Sequence, residues 1–173
     1  GSKRTGARVA PVFRLTLVCA VASSSAYAQE VLWSEEFDRG SAPDPASWSQ
    51  DLGDWGWGNR ELQNYTSSPD NVRVEEGSLV ITARAVSDNT ATARFTSARI
   101  NTRDKLTFRY GTVEARIRVP DLADGLWPAF WTLGNNHAEV GWPRCGELDI
   151  MELGHADAIA AGTVNRRVGS TAH

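Results

Sequence analysis

An all-β sandwich or barrel is the fold this sequence predicts, on three observations. Apolar and polar residues alternate with period two in segment after segment. Gly, Pro, Asn and Asp punctuate the gaps, and helical periodicity is nearly absent. The chain has 173 residues, 41% hydrophobic and 23% charged, which suits one soluble globular domain.

The first 28 residues read differently from the rest. Lys3, Arg4 and Arg8 precede an apolar run from Leu15 to Ala22, followed by small residues and Ala26-Tyr27-Ala28. That order is expected of a secretory signal peptide cleaved after Ala28, with Gly1-Ser2 reading as a cloning scar. The apolar run is far shorter than the roughly 20 residues that span a bilayer. The predicted mature domain is residues 29–173, secreted to the periplasm or beyond.

Strands are expected over Leu32–Phe37 and Val72–Glu75, and then over Ser78–Arg84, where Leu79, Ile81 and Ala83 share a face. Ala98–Thr102 follows. In Thr112–Val119, the residues Val113, Ala115, Ile117 and Val119 oppose Thr112, Glu114, Arg116 and Arg118, so one face buries and the other wets. Further strands are expected over Pro128–Leu133, Glu147–Glu152 and Gly162–Asn165, and short strands at such spacing favour a sandwich or barrel. The loop from Asp51 to Asn59 carries Trp55, Trp57 and three glycines, which suits either ligand contact or a satellite aromatic cluster.

Loss of residues 1–28 removes four positive charges and leaves 14 Lys+Arg against 21 Asp+Glu, a net charge of about −7. Such a domain has no general attraction for nucleic acid or anionic membrane, while a neutral polysaccharide is indifferent to its charge. Cys19 leaves with the leader and Cys145 remains alone, so neither an internal disulfide nor a zinc cluster is expected.

The chemistry-bearing segment is Glu147-Leu148-Asp149-Ile150-Met151-Glu152. On a regular strand Glu147 and Asp149 share a face and Glu152 faces away. A β-bulge at Ile150-Met151 would reset the alternation and put all three carboxylates on one side. Retaining glycoside hydrolysis needs a nucleophilic carboxylate and a proton-donating carboxylic acid roughly 5–5.5 Å apart. Crowding of like charges would raise one pKa and keep a proton available, here expected on Glu152. A solvated polar edge is the bland alternative for the string alone. Its context includes apolar flanks and Trp127, Trp131 and Trp142, whose rings suit the CH-rich faces of pyranoses.

Several ordered segments together resemble glycoside hydrolase family 16, the laminarinase and lichenase family. They are Leu32-Trp33-Ser34-Glu35-Glu36-Phe37-Asp38, Gly58-Asn59-Arg60-Glu61-Leu62-Gln63-Asn64-Tyr65-Thr66, Ser97-Ala98-Arg99-Ile100, Tyr110-Gly111-Thr112-Val113-Glu114-Ala115-Arg116, Gly125-Leu126-Trp127-Pro128-Ala129-Phe130-Trp131, Trp142-Pro143 and Gly146 through Glu152. The resemblance runs from about residue 31 to 165. It implies a concanavalin A-like β-sandwich jelly-roll of two curved antiparallel sheets with a glucan cleft across the concave one. It further implies Glu147 as nucleophile, Glu152 as acid/base and Asp149 as the group that tunes Glu147. Asn59, Arg99, Trp127, Trp131 and Trp142 match positions that contact sugar on the non-reducing side of the cut. No cofactor is implied for catalysis. One structural calcium is implied on the convex side, through Glu36 and the carbonyl of Gly77.

The implied substrate is β-1,3-glucan cut internally, with mixed-linkage β-1,3-1,4-glucan as the nearest rival and a non-catalytic β-glucan-binding module as the other class. Two departures stand out. Family sandwiches use further strands after this point, so the chain reads as truncated at the C-terminus, an N-terminal portion completed by a second chain or a further segment. The family also often has His after Gly-Thr-Val, whereas Gly162-Thr163-Val164 is followed by Asn165.

Overall fold

The computed structural model describes residues 30–86, 94–122 and 125–173. The expected leader lies outside the described residues, and among those residues no helix is long and apolar enough to cross a membrane. Contacts divide the chain at Ser34 into two units, and the strands and helices lie in the unit Glu35–His173.

Among the described residues, ten strands and two short helices follow in order. They are β1 Ser49–Asp51, β2 Gln63–Tyr65, β3 Val72–Glu75, β4 Ser78–Ile81, β5 Arg84–Ala85, β6 Phe95–Ser97, β7 Arg99–Asn101, β8 Ala129–Leu133, α1 His137–Val140, β9 Glu147–Glu152, α2 Ala156–Ala160 and β10 Gly169–Ala172. The ladders are β1-β7, β2-β6-β5, β3-β4 and β10-β9-β8, all antiparallel except the parallel pair β2-β6. Strand identity was therefore correct for β3 and β9, bound for bound, and close for β4, β7 and β8.

Three expected strands are not formed. Residues 31–38 have no regular secondary structure. Thr112–Val119, the clearest alternation in the chain, is extended without a ladder, and Val113 and Ile117 are exposed. Alternation sets which face a strand would bury, but a strand also needs hydrogen-bonding neighbours on its edges, and no ladder among the described residues includes this segment. Gly162–Asn165 gives way to a 3-10 turn at Val164–Arg166, and the chain instead enters β10, which the sequence did not announce.

Two buried centres hold the ladders. Leu122, fully buried, packs with Leu153, Ala158 and Val164, flanked by Val119, Leu126, Met151 and Ile159. Asn71 is the polar centre: its amide donates to the Thr82 carbonyl at 2.9 Å and to Thr96 Oγ1 at 3.0 Å, and accepts from Thr66 Oγ1 at 2.6 Å. Those bonds tie the β3-β4 hairpin to β6, and they satisfy an amide that would otherwise be costly to bury. The hairpin itself closes over Glu76-Gly77, both at positive φ (49° and 69°), the geometry of the two-residue turn that matches strand twist.

Candidate active site

The β10-β9-β8 sheet positions the site. Against β8, Phe130 faces Met151 and Trp131 faces Asp149; against β10, Gly169 faces Glu152 and Thr171 faces Asp149. Against β8 the register shifts between Met151 and Asp149, and against β10 between Glu152 and Asp149, so one extra residue of β9 makes a bulge at Ile150-Met151. This is the bulge expected at Ile150-Met151. It leaves Asp149 buried, Glu147 and Glu152 half-buried, and the side chains of Leu148 and Ile150 on the exposed face.

His173 completes the cluster from the end of β10. Its backbone exchanges both hydrogen bonds with Glu147, His173 N to Glu147 O at 2.9 Å and Glu147 N to His173 O at 3.4 Å. Its Nε2 lies 3.1 Å from Oδ2 of Asp149, whose residue is 6% exposed, and its ring meets Trp142 at 5.5 Å. Ligand atoms of Glu147, Asp149 and His173 fall within 4.8 Å of one another. A cation could be held by such a set, but carboxylates packed this closely also meet the needs of acid-base and nucleophilic chemistry.

The Glu147 carboxyl titrates above its ordinary value, chiefly because burial disfavours the charged form, then because Asp149 repels it, partly offset by His173. Burial, ahead of like-charge crowding, is what lifts Glu147, the residue that the sequence resemblance implies as nucleophile. If Glu147 must be ionised to react, the acid limb of the activity profile follows its pKa. His173→Gln removes the group that pulls this pKa down and should move the acid limb of kcat/KM to higher pH, while Asp149→Asn removes the repulsion and should move it lower. Paired pH profiles check both signs; shifts in the same direction would contradict this electrostatic arrangement.

Trp127 reaches the second glutamate, its Nε1 donating to Glu152 Oε1 at 3.0 Å. Gly154 makes the approach possible. A Cβ there would lie 2.1 Å from the Leu126 carbonyl oxygen, so only glycine lets the Leu126-Trp127 backbone pass this close to the end of β9.

Arg99 is fixed on three sides. Its Nε donates to Oδ2 of its cross-strand partner Asp51 at 3.0 Å, and its guanidinium lies 4.9 Å from the Trp57 ring and 4.8 Å from the Trp131 ring. Arg99 therefore covers part of the Trp131 indole that was expected to be open to sugar. Trp142 is exposed, and the exposed Asn59 donates to Glu61 Oε1 at 3.3 Å. Glu61 also accepts from Gln63 Nε2 at 2.6 Å and from the Tyr65 hydroxyl at 2.7 Å; burial, then that bond, raises the Tyr65 pKa.

His173, Asp51 and Trp57 were absent from the site inferred from sequence. A histidine had been sought after Gly162-Thr163-Val164, but Asn165 there ties loops together, accepting from Leu122 N at 2.9 Å and donating to Asp121 at 2.8 Å. The histidine follows the strand Gly169-Ser170-Thr171-Ala172, whose signal was a Gly-x-Thr string rather than Gly-Thr-Val. Glu36 and Gly77 are both exposed and supply one carboxylate and one carbonyl of the about six to eight oxygens that calcium takes, too few to build the site by themselves.

A family model described as beta-glucan synthesis-associated protein SKN1/KRE6/Sbg1 matches residues 23–145. The beta-glucanase of Rhodothermus marinus is 42% identical over 142 residues, covering 80% of this chain and 49% of that protein. Among solved structures, the laminarinase catalytic domain from Thermotoga maritima MSB8 matches with a TM-score of 0.70 at 46% identity, over 83% of this chain and 56% of the other. A GH16 protein of the Bacteroides ovatus mixed linkage glucan PUL, in complex with its G4G4G3G product, gives a TM-score of 0.71 at 35% identity, over 83% and 57%. The jelly-roll class expected from the sequence stands, and the chain spans about half the length of these relatives.

Proposed function

Because the chain belongs to glycoside hydrolase family 16, we propose that it is an endo-acting retaining hydrolase of β-1,3-glucan, exported from the cell, with Glu147 as nucleophile and Glu152 as acid/base. The bulged β9 strand carries the reading, since it gathers Glu147, Asp149 and Glu152 at one site beside exposed indoles. Glu147 attacks the anomeric carbon and forms a glycosyl ester while Glu152 gives its proton to the departing sugar oxygen. Glu152, now a carboxylate, takes a proton from water; the resulting hydroxide displaces Glu147 and restores both groups.

Asp149 acts through Glu147, and His173 holds Asp149. Trp127 orients Glu152. Trp142 and Asn59 offer exposed surface for sugar, whereas Arg99 and Trp131 brace each other. Mixed-linkage glucan is the competing substrate, favoured by the likeness to the Bacteroides ovatus protein.

Reducing-sugar release from laminarin, mixed-linkage β-glucan and agarose, with Glu147→Gln as control, tests the assignment. Release from laminarin that the substitution abolishes is the expected result. Laminarin binding without hydrolysis would replace the enzyme reading with a recognition module.

A further inference from the structure

The loop from Gly53 to Gly58 ends in an indole that the catalytic reading does not use. Gly53 and Tyr65 exchange both backbone hydrogen bonds at 3.0 Å, which closes the loop at its base. Trp57 stands inside it at φ 49°, a left-handed conformation costly for a bulky residue. Its Nε1 donates to the Gly53 carbonyl at 3.1 Å, its ring meets the Tyr65 ring at 5.4 Å near edge-on, and Arg99 lies 4.9 Å from it. Trp57 is thus spent on holding the loop. Trp55, its ring 4.5 Å from that of Trp57, is 67% exposed.

We propose that Trp55 is a stacking platform for an additional glucosyl unit of a long β-glucan, an outer subsite beyond those the family resemblance implies. The inference rests on the β-glucan reading of the cleft. Three contacts of 4.5 to 4.9 Å connect Trp55 through Trp57 and Arg99 to Trp131, and Trp131 is the ladder partner of Asp149 on the catalytic strand. This chain of contacts links Trp55, by way of one guanidinium, to the strand paired with the catalytic one. Asn59, directly after the loop, is exposed as well.

An indole held by packing presents an apolar face at little entropic cost, which suits the CH face of a pyranose. A neutral glucan is also the occupant that the acidic surroundings do not repel; Asp51 is already paired with Arg99. Asp51 and Arg99 act as positioning residues here, since they brace Trp57 and Trp131.

The test is oligosaccharide binding to the whole chain carrying Glu147→Gln, which prevents turnover, with laminaritriose and laminariheptaose as probes. Trp55→Ala should weaken the heptaose about tenfold and the triose less than about twofold, and Trp55→Tyr should recover most of the loss. Equal loss for both probes with a lowered unfolding temperature would overturn the platform and make Trp55 a packing residue. No loss for either would overturn it as well, as would failure of the unsubstituted ring to bind any glucan. Hydrolysis by the chain with Glu147 intact is scored separately. Length-dependent binding without cleavage keeps the platform and removes the hydrolase reading, while cleavage indifferent to Trp55 does the reverse.

Discussion

Glu147→Gln is expected to lower kcat for β-1,3-glucan by on the order of 10⁵-fold, with KM changed little, because it removes the atom that forms the covalent bond. Glutamine keeps the volume and one hydrogen-bond acceptor beside Asp149, so the fold and the sugar contacts should survive. The smaller substitution Glu147→Ala provides a sharper signature. It leaves room for an external anion such as azide, which should restore part of the rate and give a glycosyl azide of inverted configuration, since the anion enters from the Glu147 side without a second displacement. No rescue, together with a loss of only a few fold, would mean that Glu147 does not form the bond.

Glu152→Gln is expected to cost about 10²- to 10⁴-fold on glucan, the range for a lost general acid-base group. The cost should depend on the leaving group. A nitrophenyl β-glucoside departs without protonation, so the first step on it should be nearly spared and the glycosyl-enzyme should accumulate as a burst. Trp127 bears on the same step through its 3.0 Å bond to Glu152, and Trp127→Phe should produce a weaker version of the same pattern. Equal losses on glucan and on the activated substrate would contradict the acid/base assignment.

What the sequence could disclose depended on how local the physics was. The alternation and the flanking turn residues sufficed for β3, and the requirement that three carboxylates share a side sufficed to place the bulge at Ile150. Both are decided within a few neighbouring residues. The segment 112–119 shows where that logic stops: its pattern is strand-like, but a ladder is a property of two segments, and none of the described strands lies beside it. β1, β2, β5 and β6 have two or three residues each, too few for a period to register.

The site divides in the same way. Glu147, Asp149 and Glu152 are one short string, and their association was readable before any coordinate. The salt bridge of Asp51 to Arg99 joins residues 48 apart, and His173 lies 24 positions from Asp149, so neither partner could be inferred from spacing. His173 was also hidden by a decoy. Gly162-Thr163-Val164 imitates the expected string, and the buried Val164 of that decoy is used for the Leu122 core instead. The loop holding Trp55 and Trp57 was open to two readings, and the structure divides them between its indoles: Trp57 packs, and Trp55 is left exposed.

Two carboxylates acting in succession must return the anomeric carbon to its starting configuration, and this is the claim on which the account depends. Proton NMR of the first sugar released from β-1,3-glucan, recorded before mutarotation, measures it directly. The account predicts a β-anomeric product at the earliest times, relaxing later toward the equilibrium mixture. An α-anomer appearing first would mean single displacement by water, and would contradict the assignment of Glu147 as nucleophile.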